Sequence, residues 1–242
     1  REVLPANEDQ TAVLKITLDA PKPPETAERP PVNLCVVLDR SGSMHGQKLE
    51  KAKEAALEAL RRLSAKDMFS LVMYDHNVET VVPAQSAANT EWITARIRDI
   101  SSGGNTALFG AVSQAAAEVR KNMRGNYINR IILLSDGLAN VGPSSPSDLG
   151  RLGAGFMKEG ISVSTVGVGT DYNEDLMTRL SQESDGNSYF VEDSRDLARI
   201  FRDELGDVLS VVARKVKVII ECPNGVTPVT IRFFVDQETY DA

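Results

Sequence analysis

Val32-Asn33-Leu34-Cys35-Val36-Val37-Leu38-Asp39-Arg40-Ser41-Gly42-Ser43-Met44 decides how the rest of the chain is read. Its first seven residues are apolar almost without a break, the mark of a strand covered on both faces rather than of one half open to water. The run stops at a carboxylate. Two hydroxyls follow at alternate positions, in a turn that Gly42 allows to bend tightly. A buried strand that ends on Asp39, Ser41 and Ser43 presents a compact set of hard oxygen donors, the kind that Mg²⁺ or Mn²⁺ prefers.

Working outward, the same design returns at Arg130-Ile131-Ile132-Leu133-Leu134-Ser135-Asp136-Gly137, a buried run closed by an aspartate and a turn glycine. Between and beyond these two runs, strand and helix patterns alternate. Residues 47–63 carry Leu49, Ala52, Ala56, Leu60 and Leu63 at helical spacing, and Met68 to Tyr74 is a second apolar strand. Val78 to Val82 follows closely enough to be its hairpin partner, the one antiparallel edge the pattern accommodates. A short helix is expected over 91–100, a loop over Ser101 to Asn105, and a helix from Thr106 to about Asn122. Gly142 to Ser147 reads as a loop, 149–158 as a helix, 161–168 as a strand, 173–182 as a helix, 188–191 as a short strand and 194–209 as a last helix. Such alternation predicts an α/β fold: a Rossmann-like, doubly wound, mostly parallel six-stranded sheet with helices on both faces.

In an open sheet of this kind, ligands bind where the strand order reverses, outside the carboxyl ends of the strands. The usual order 3-2-1-4-5-6 sets the first and fourth strands side by side at that point, so Asp39 and Asp136 finish together. Thr106 comes from the loop beside them. The carboxylates of Asp39 and Asp136 and the hydroxyls of Ser41, Ser43 and Thr106 are then expected to converge, with Gly42, Met44, His45, Gly104, Asn105 and Gly137 around them as a rim for a partner. Two carboxylates balance a divalent charge, and the neutral hydroxyls leave the ion an appetite for one more anionic oxygen.

The chain ends read differently. Residues 1–31 hold an alternating strand over 13–18 and a Pro-rich stretch from Pro21 to Pro31 that suits an extended linker. After residue 209 the period changes to two, with strands expected over 212–221 and 226–235 around Pro223-Asn224-Gly225. These strands are expected to pair with 13–18 as a small antiparallel element, which makes 32–209 an inserted domain. In 242 residues there is room for both. A net charge of −7 and the lack of any long basic run remove the footprint of a nucleic-acid binder. No apolar run approaches the roughly 20 residues that cross a bilayer, and the N-terminus has no signal core and no starting Met, so the chain reads as an excised or processed piece whose localisation stays open, an extracytoplasmic or secreted setting being favoured. Cys35 reads as a buried, inert thiol; a bond to Cys222 stays open as the alternative.

Asp39-x-Ser41-x-Ser43, Thr106 after Gly103-Gly104-Asn105, and Asp136-Gly137 after an apolar strand closely resemble the metal-ion-dependent adhesion site of von Willebrand factor type A domains. The resemblance covers about 32–207 and is closest to bacterial members and to those of inter-alpha-trypsin inhibitor heavy chains, where the domain is embedded among β-rich segments. It implies a bound Mg²⁺, with Mn²⁺ or Ca²⁺ as alternatives, whose shell is completed by an Asp or Glu of a protein ligand. In that family Asp136 acts directly or through water.

Each residue also has a plainer reading. Asp39, Ser41, Ser43 and Thr106 are all competent helix caps; what argues for a site is their order and their strand-end contexts taken together. His45 borders the crevice but reads better as a solvated loop residue than as a partner contact, and His76 as a turn residue before Val78. Met44 and Tyr172 read either as partner contacts on the top face or as loop residues tucked onto the core, and Leu138 as the latter. Gly167-x-Gly169 lacks the third glycine of a dinucleotide loop. The competing function is a Mg²⁺-dependent phosphoryl hydrolase or transferase with Asp39 as nucleophile. Ser41 stands where such an enzyme carries its second aspartate, and no strand ends on a matching lysine, so a binding module without covalent chemistry is expected instead.

Overall fold

The computed structural model describes residues 29–104, 107–123, 126–136, 142, 144–169, 173–209 and 221. Apart from Glu221 these lie in one compact unit, residues 23–211. Six strands, β1 (Val32–Asp39), β2 (Met68–Tyr74), β3 (Val78–Ser86), β4 (Ile128–Ser135), β5 (Ile161–Val168) and β6 (Ser188–Val191), form one sheet in the order β3-β2-β1-β4-β5-β6. All neighbours are parallel except β2 and β3. The expected antiparallel edge is therefore present, and it runs past Val82 to Ser86. Pro83 is tolerated because an edge strand can lack a ladder donor.

The continuous apolar run of β1 has the predicted cause. Leu34, Val36 and Leu38 face one core with helices α1 (Gln47–Arg62), α2 (Thr90–Arg98) and α6 (Leu197–Leu209). Cys35 and Val37 face the other with α3 (Leu108–Arg120), α4 (Pro146–Glu159) and α5 (Glu174–Glu183). A strand buried on both faces has no polar side to show. Cys35 is a free, fully buried thiol, and burial pushes its pKa up to about 12. It is inert, as expected.

Three boundaries differ from expectation for local reasons. α4 opens at Pro146 because Ser145 caps it, its Oγ accepting from Asp148 N at 3.1 Å, and proline suits the first helical turn. The predicted last helix begins as a single 3₁₀ turn, Ser194–Asp196, capped by Asp193, before α6. α3 has Ala107 at its N-cap without a side-chain bond; Thr106 lies outside the described residues.

Two buried carboxylates fix the ends of the unit. Asp67 accepts from Val32 N at 2.8 Å, from Ser64 N at 2.6 Å, and from Arg29 through both oxygens. Burial alone would raise the Asp67 carboxyl, yet the bonds from Arg29, Val32 and Ser64 bring it down to about 2. Residues 29–31 are thus clamped to the domain rather than free; the remainder of the expected linker lies outside the described residues. On α6, Glu204 is fully buried and accepts from Ser164 Oγ at 2.6 Å, Asn187 Nδ2 at 2.9 Å and Tyr189 OH at 2.9 Å, with Arg130 Nε 3.5 Å away. These bonds tie the last helix to β4, β5 and β6. The strands expected at 13–18, 212–221 and 226–235 fall outside the described residues, Glu221 apart.

Candidate metal centre

β1 and β4 run in register, Leu38 opposite Leu134, so both strands end on the same rim. The order reverses between them, which makes this rim the switch-point crevice. Asp39 is fully buried there. Its Oδ1 accepts from Ser41 N at 2.8 Å, and its Oδ2 accepts from Ser135 Oγ at 2.8 Å and Tyr74 OH at 3.3 Å. Burial raises the Asp39 pKa; the Ser41 and Ser135 bonds oppose that, and the Asp136 charge adds to it. Tyr74 is likewise pushed well above its ordinary value, first by burial and then by Asp39. This is a carboxylate short of positive charge.

After Asp39 the chain turns through a 3₁₀ turn, Gly42–Met44. Ser41 Oγ lies 3.1 Å from Ser43 Oγ, and Ser43 Oγ donates to Asp136 Oδ1 at 2.7 Å. The side chains of Asp39, Ser41, Ser43 and Asp136 are therefore gathered at one rim. Ser41 and Asp136 are buried, whereas Gly42 and Ser43 are exposed, so the cluster is closed below and open to solvent above.

The loop that carries Thr106 is tied to this turn on its described side. Gly42 N donates to Gly104 O at 3.0 Å, Gly103 N to Arg40 O at 2.7 Å, and Ala107 N to Asp75 O at 2.7 Å. Arg40 pairs with Asp75 at 2.8 Å. Both glycines sit in close approach: a Cβ on Gly103 would stand 2.6 Å from Asp75 Oδ2, and one on Gly104 1.9 Å from His76 Nδ1. Thr106, Asn105 and Gly137, together with Leu138 and Tyr172, lie outside the described residues.

Of the expected rim, Gly42 and Gly104 are exposed, and His45 is exposed with its Nδ1 3.0 Å from Ser102 Oγ. Met44 is a correction. It is fully buried in the core under α1, because the 3₁₀ bond from Met44 N to Ser41 O turns it inward, so it offers a partner nothing. Sequence reasoning also missed residues. Ser135 and Tyr74 hold Asp39, His76 packs on Gly104 rather than merely filling a turn, and Lys48 of α1 places Nζ 2.6 Å from Asp136 Oδ2. Ser135 is readable in the sequence as the neighbour of Asp136; Lys48 lies in a helix, where no strand-end pattern marks it.

Among the described residues no group of three or more His, Cys, Asp or Glu could hold a metal. Any ion here depends on two carboxylates and on hydroxyls, a hard, all-oxygen set that suits Mg²⁺, Mn²⁺ or Ca²⁺ and lacks the soft ligands of a structural zinc site. The ammonium of Lys48 already stands against Asp136 as a cation does. The donor set fits.

Residues 33–203 match the family model of the von Willebrand factor type A domain. The chain belongs to that family. Among relatives of this type A domain, protein sll0103 of Synechocystis sp. is 30% identical over 184 residues, covering 76% of this chain and 43% of the relative. Inter-alpha-trypsin inhibitor heavy chain H2 of Sus scrofa is 30% identical over 202 residues, covering 80% of this chain and 22% of its own. The domain thus spans less than half of either relative. Among solved structures, a von Willebrand factor type A protein from Catenulispora acidiphila superposes with TM-score 0.65 at 21% identity, covering 72% of this chain and 42% of that one. Proximal thread matrix protein 1 from the mussel byssus, with a zinc-occupied metal-ion-dependent adhesion motif, gives 0.59 at 17%, covering 73% and 48%. Type A domains are typically metal-dependent protein-interaction modules and generally not enzymes. Among the described residues no helix is long and apolar enough to cross a membrane.

Proposed function

We propose that this type A domain binds a protein partner through a divalent cation, Mg²⁺ by preference, held by Asp39, Ser41, Ser43 and Thr106 with Asp136 in direct or water-mediated support. The observation that carries the reading is the linked set at the switch-point rim, in which Ser41 N donates to Asp39 Oδ1 at 2.8 Å, Ser41 Oγ lies 3.1 Å from Ser43 Oγ and Ser43 Oγ donates to Asp136 Oδ1 at 2.7 Å, with Ser43 facing solvent. When bound, the ion supplies an electrophilic position that takes an Asp or Glu of the partner. The protein's own work is positional. Ser135 and Tyr74 hold Asp39, Gly103 and Gly104 let the neighbouring loop close on the turn, and Gly42, His45 and Gly104 form the exposed surround.

Covalent chemistry is not part of this proposal. Both oxygens of Asp39 accept hydrogen bonds and the residue has no exposed surface, which suits a ligand held in place better than a nucleophile. Capture of an acidic partner protein is expected in Mg²⁺ and lost in chelator, and Ser41→Ala with Ser43→Ala, which spares the buried carboxylates, is expected to lose it too. Capture that persists in chelator sinks the reading. Mg²⁺-dependent turnover of an aryl phosphate, absent in Asp39→Ala, would restore the phosphoryl-transfer alternative.

A further inference from the structure

Asp136 divides its carboxylate between two neighbours. Oδ1 accepts from Ser43, and Oδ2 is 2.6 Å from Lys48 Nζ. The Lys48 side chain is 39% exposed while that of Asp136 has no exposure, so the ammonium reaches the acid from the solvent side of the crevice. The end of β5 meets it there. Gly169, at φ +79°, brings its backbone so near that a Cβ would stand 3.5 Å from Nζ. A positive charge therefore stands at the wall of a site whose carboxylates, Asp39 and Asp136, carry the opposite sign.

That charge has a consequence for any cation entering between the two acids. Either the ammonium is displaced from Asp136, or the two positive charges share one carboxylate; each lowers the ion's net gain. A lysine suits such a role, because its ammonium is a point charge on a flexible stem that can swing away into water. Without an ion, the same ammonium relieves the mutual repulsion of Asp39 and Asp136.

We propose that Lys48 is an intramolecular competitor of the divalent cation: it stands in for part of the ion's charge in the cation-free protein and sets cation affinity below what the oxygen donors alone would give. The inference rests on the cation-binding reading above. It makes Lys48 a residue that sets how much cation the domain requires, rather than a ligand.

The test compares the full chain, stripped with chelator, as wild type, Lys48→Met and Lys48→Arg, by calorimetric titration with Mn²⁺ and by melting of the stripped proteins. Lys48→Met keeps the stem and removes the charge. It is expected to bind Mn²⁺ roughly tenfold or more tightly than wild type, while its cation-free form melts at a lower temperature. The gain is expected to narrow as salt rises, since screening weakens the repulsion it removes. Lys48→Arg is expected to stay near wild type. Equal or weaker Mn²⁺ binding by Lys48→Met overturns the inference and makes the lysine a mere support for Asp136. If neither wild type nor Lys48→Met takes up Mn²⁺, the cation-binding reading itself fails and the inference falls with it.

Discussion

Replacing Glu204 with alanine separates what holds the fold from what makes the site. Its carboxylate accepts from Ser164, Asn187 and Tyr189 and stands 3.5 Å from Arg130 Nε. Asn187 and Tyr189 are only partly buried, so water replaces much of what they lose. Ser164 is fully buried and the Arg130 side chain only 13% exposed; Arg130 Nη1 and Asn187 N each still donate to Ser164 Oγ at 3.1 Å, but the Ser164 hydroxyl loses its acceptor and Arg130 the charge opposite it. A buried charge deprived of its partner costs about 3–5 kcal/mol, and a buried hydroxyl proton without an acceptor adds at most about 1 kcal/mol, which relaxation around Arg130 offsets. Glu204→Ala is therefore expected to lose about 4 kcal/mol in urea unfolding, a large part of the stability of an ordinary domain. Hydrogen exchange should show the loss first in α6. Cation affinity should not move, because Arg130 is separated from the end of β4 by about 16 Å of strand. A loss under 1 kcal/mol, or a weakened cation site at constant fold, would refute the reasoning.

Two further expectations follow from the clamp and the loop. Asp67 is held at about 2, below its ordinary 3.8, so its stabilisation is complete above about pH 4 and disappears as pH falls toward 2; Arg29→Ala should remove roughly 1–2 kcal/mol of it at neutral pH and flatten the acid limb of a stability-against-pH curve. Gly103→Ala should cost more than Gly104→Ala, although the latter's Cβ makes the closer approach. His76 is 56% exposed and swings aside, whereas Asp75, 1% exposed and paired with Arg40, cannot; we expect about 1–3 kcal/mol for Gly103→Ala with weakened cation binding, and an equal or reversed order in thermal melts would contradict it.

The fold was legible where burial wrote itself into composition. β1, β2, β4 and β5 are apolar because both faces are covered, and the order of the sheet follows from the switch between β1 and β4 once alternation is seen. Asp39, Ser41, Ser43 and Asp136 were legible for the same reason, as polar residues placed where such strands must end. Other features depend on distances that no local pattern carries. Lys48 meets Asp136 because a long side chain in the first turn of α1 reaches the residue after β4, and Met44 leaves the rim because a 3₁₀ turn rotates it inward. The start of α4 was obscured by Ser145-Pro146, which reads as loop punctuation and is a cap followed by a first-turn proline. The buried network around Glu204 joins α6 to three strands far away in the chain, and helical periodicity alone marks that position only as facing inward.

The most direct measurement is a calorimetric titration of the chelator-stripped chain with Mg²⁺ and Mn²⁺, beside Asp39→Ala shown by circular dichroism to remain folded. The account predicts a single saturable site in wild type, a rise in melting temperature on loading, and neither effect in the variant. Heat and melting curves that ignore millimolar cation in wild type, or a saturable site that survives the loss of Asp39, would contradict it.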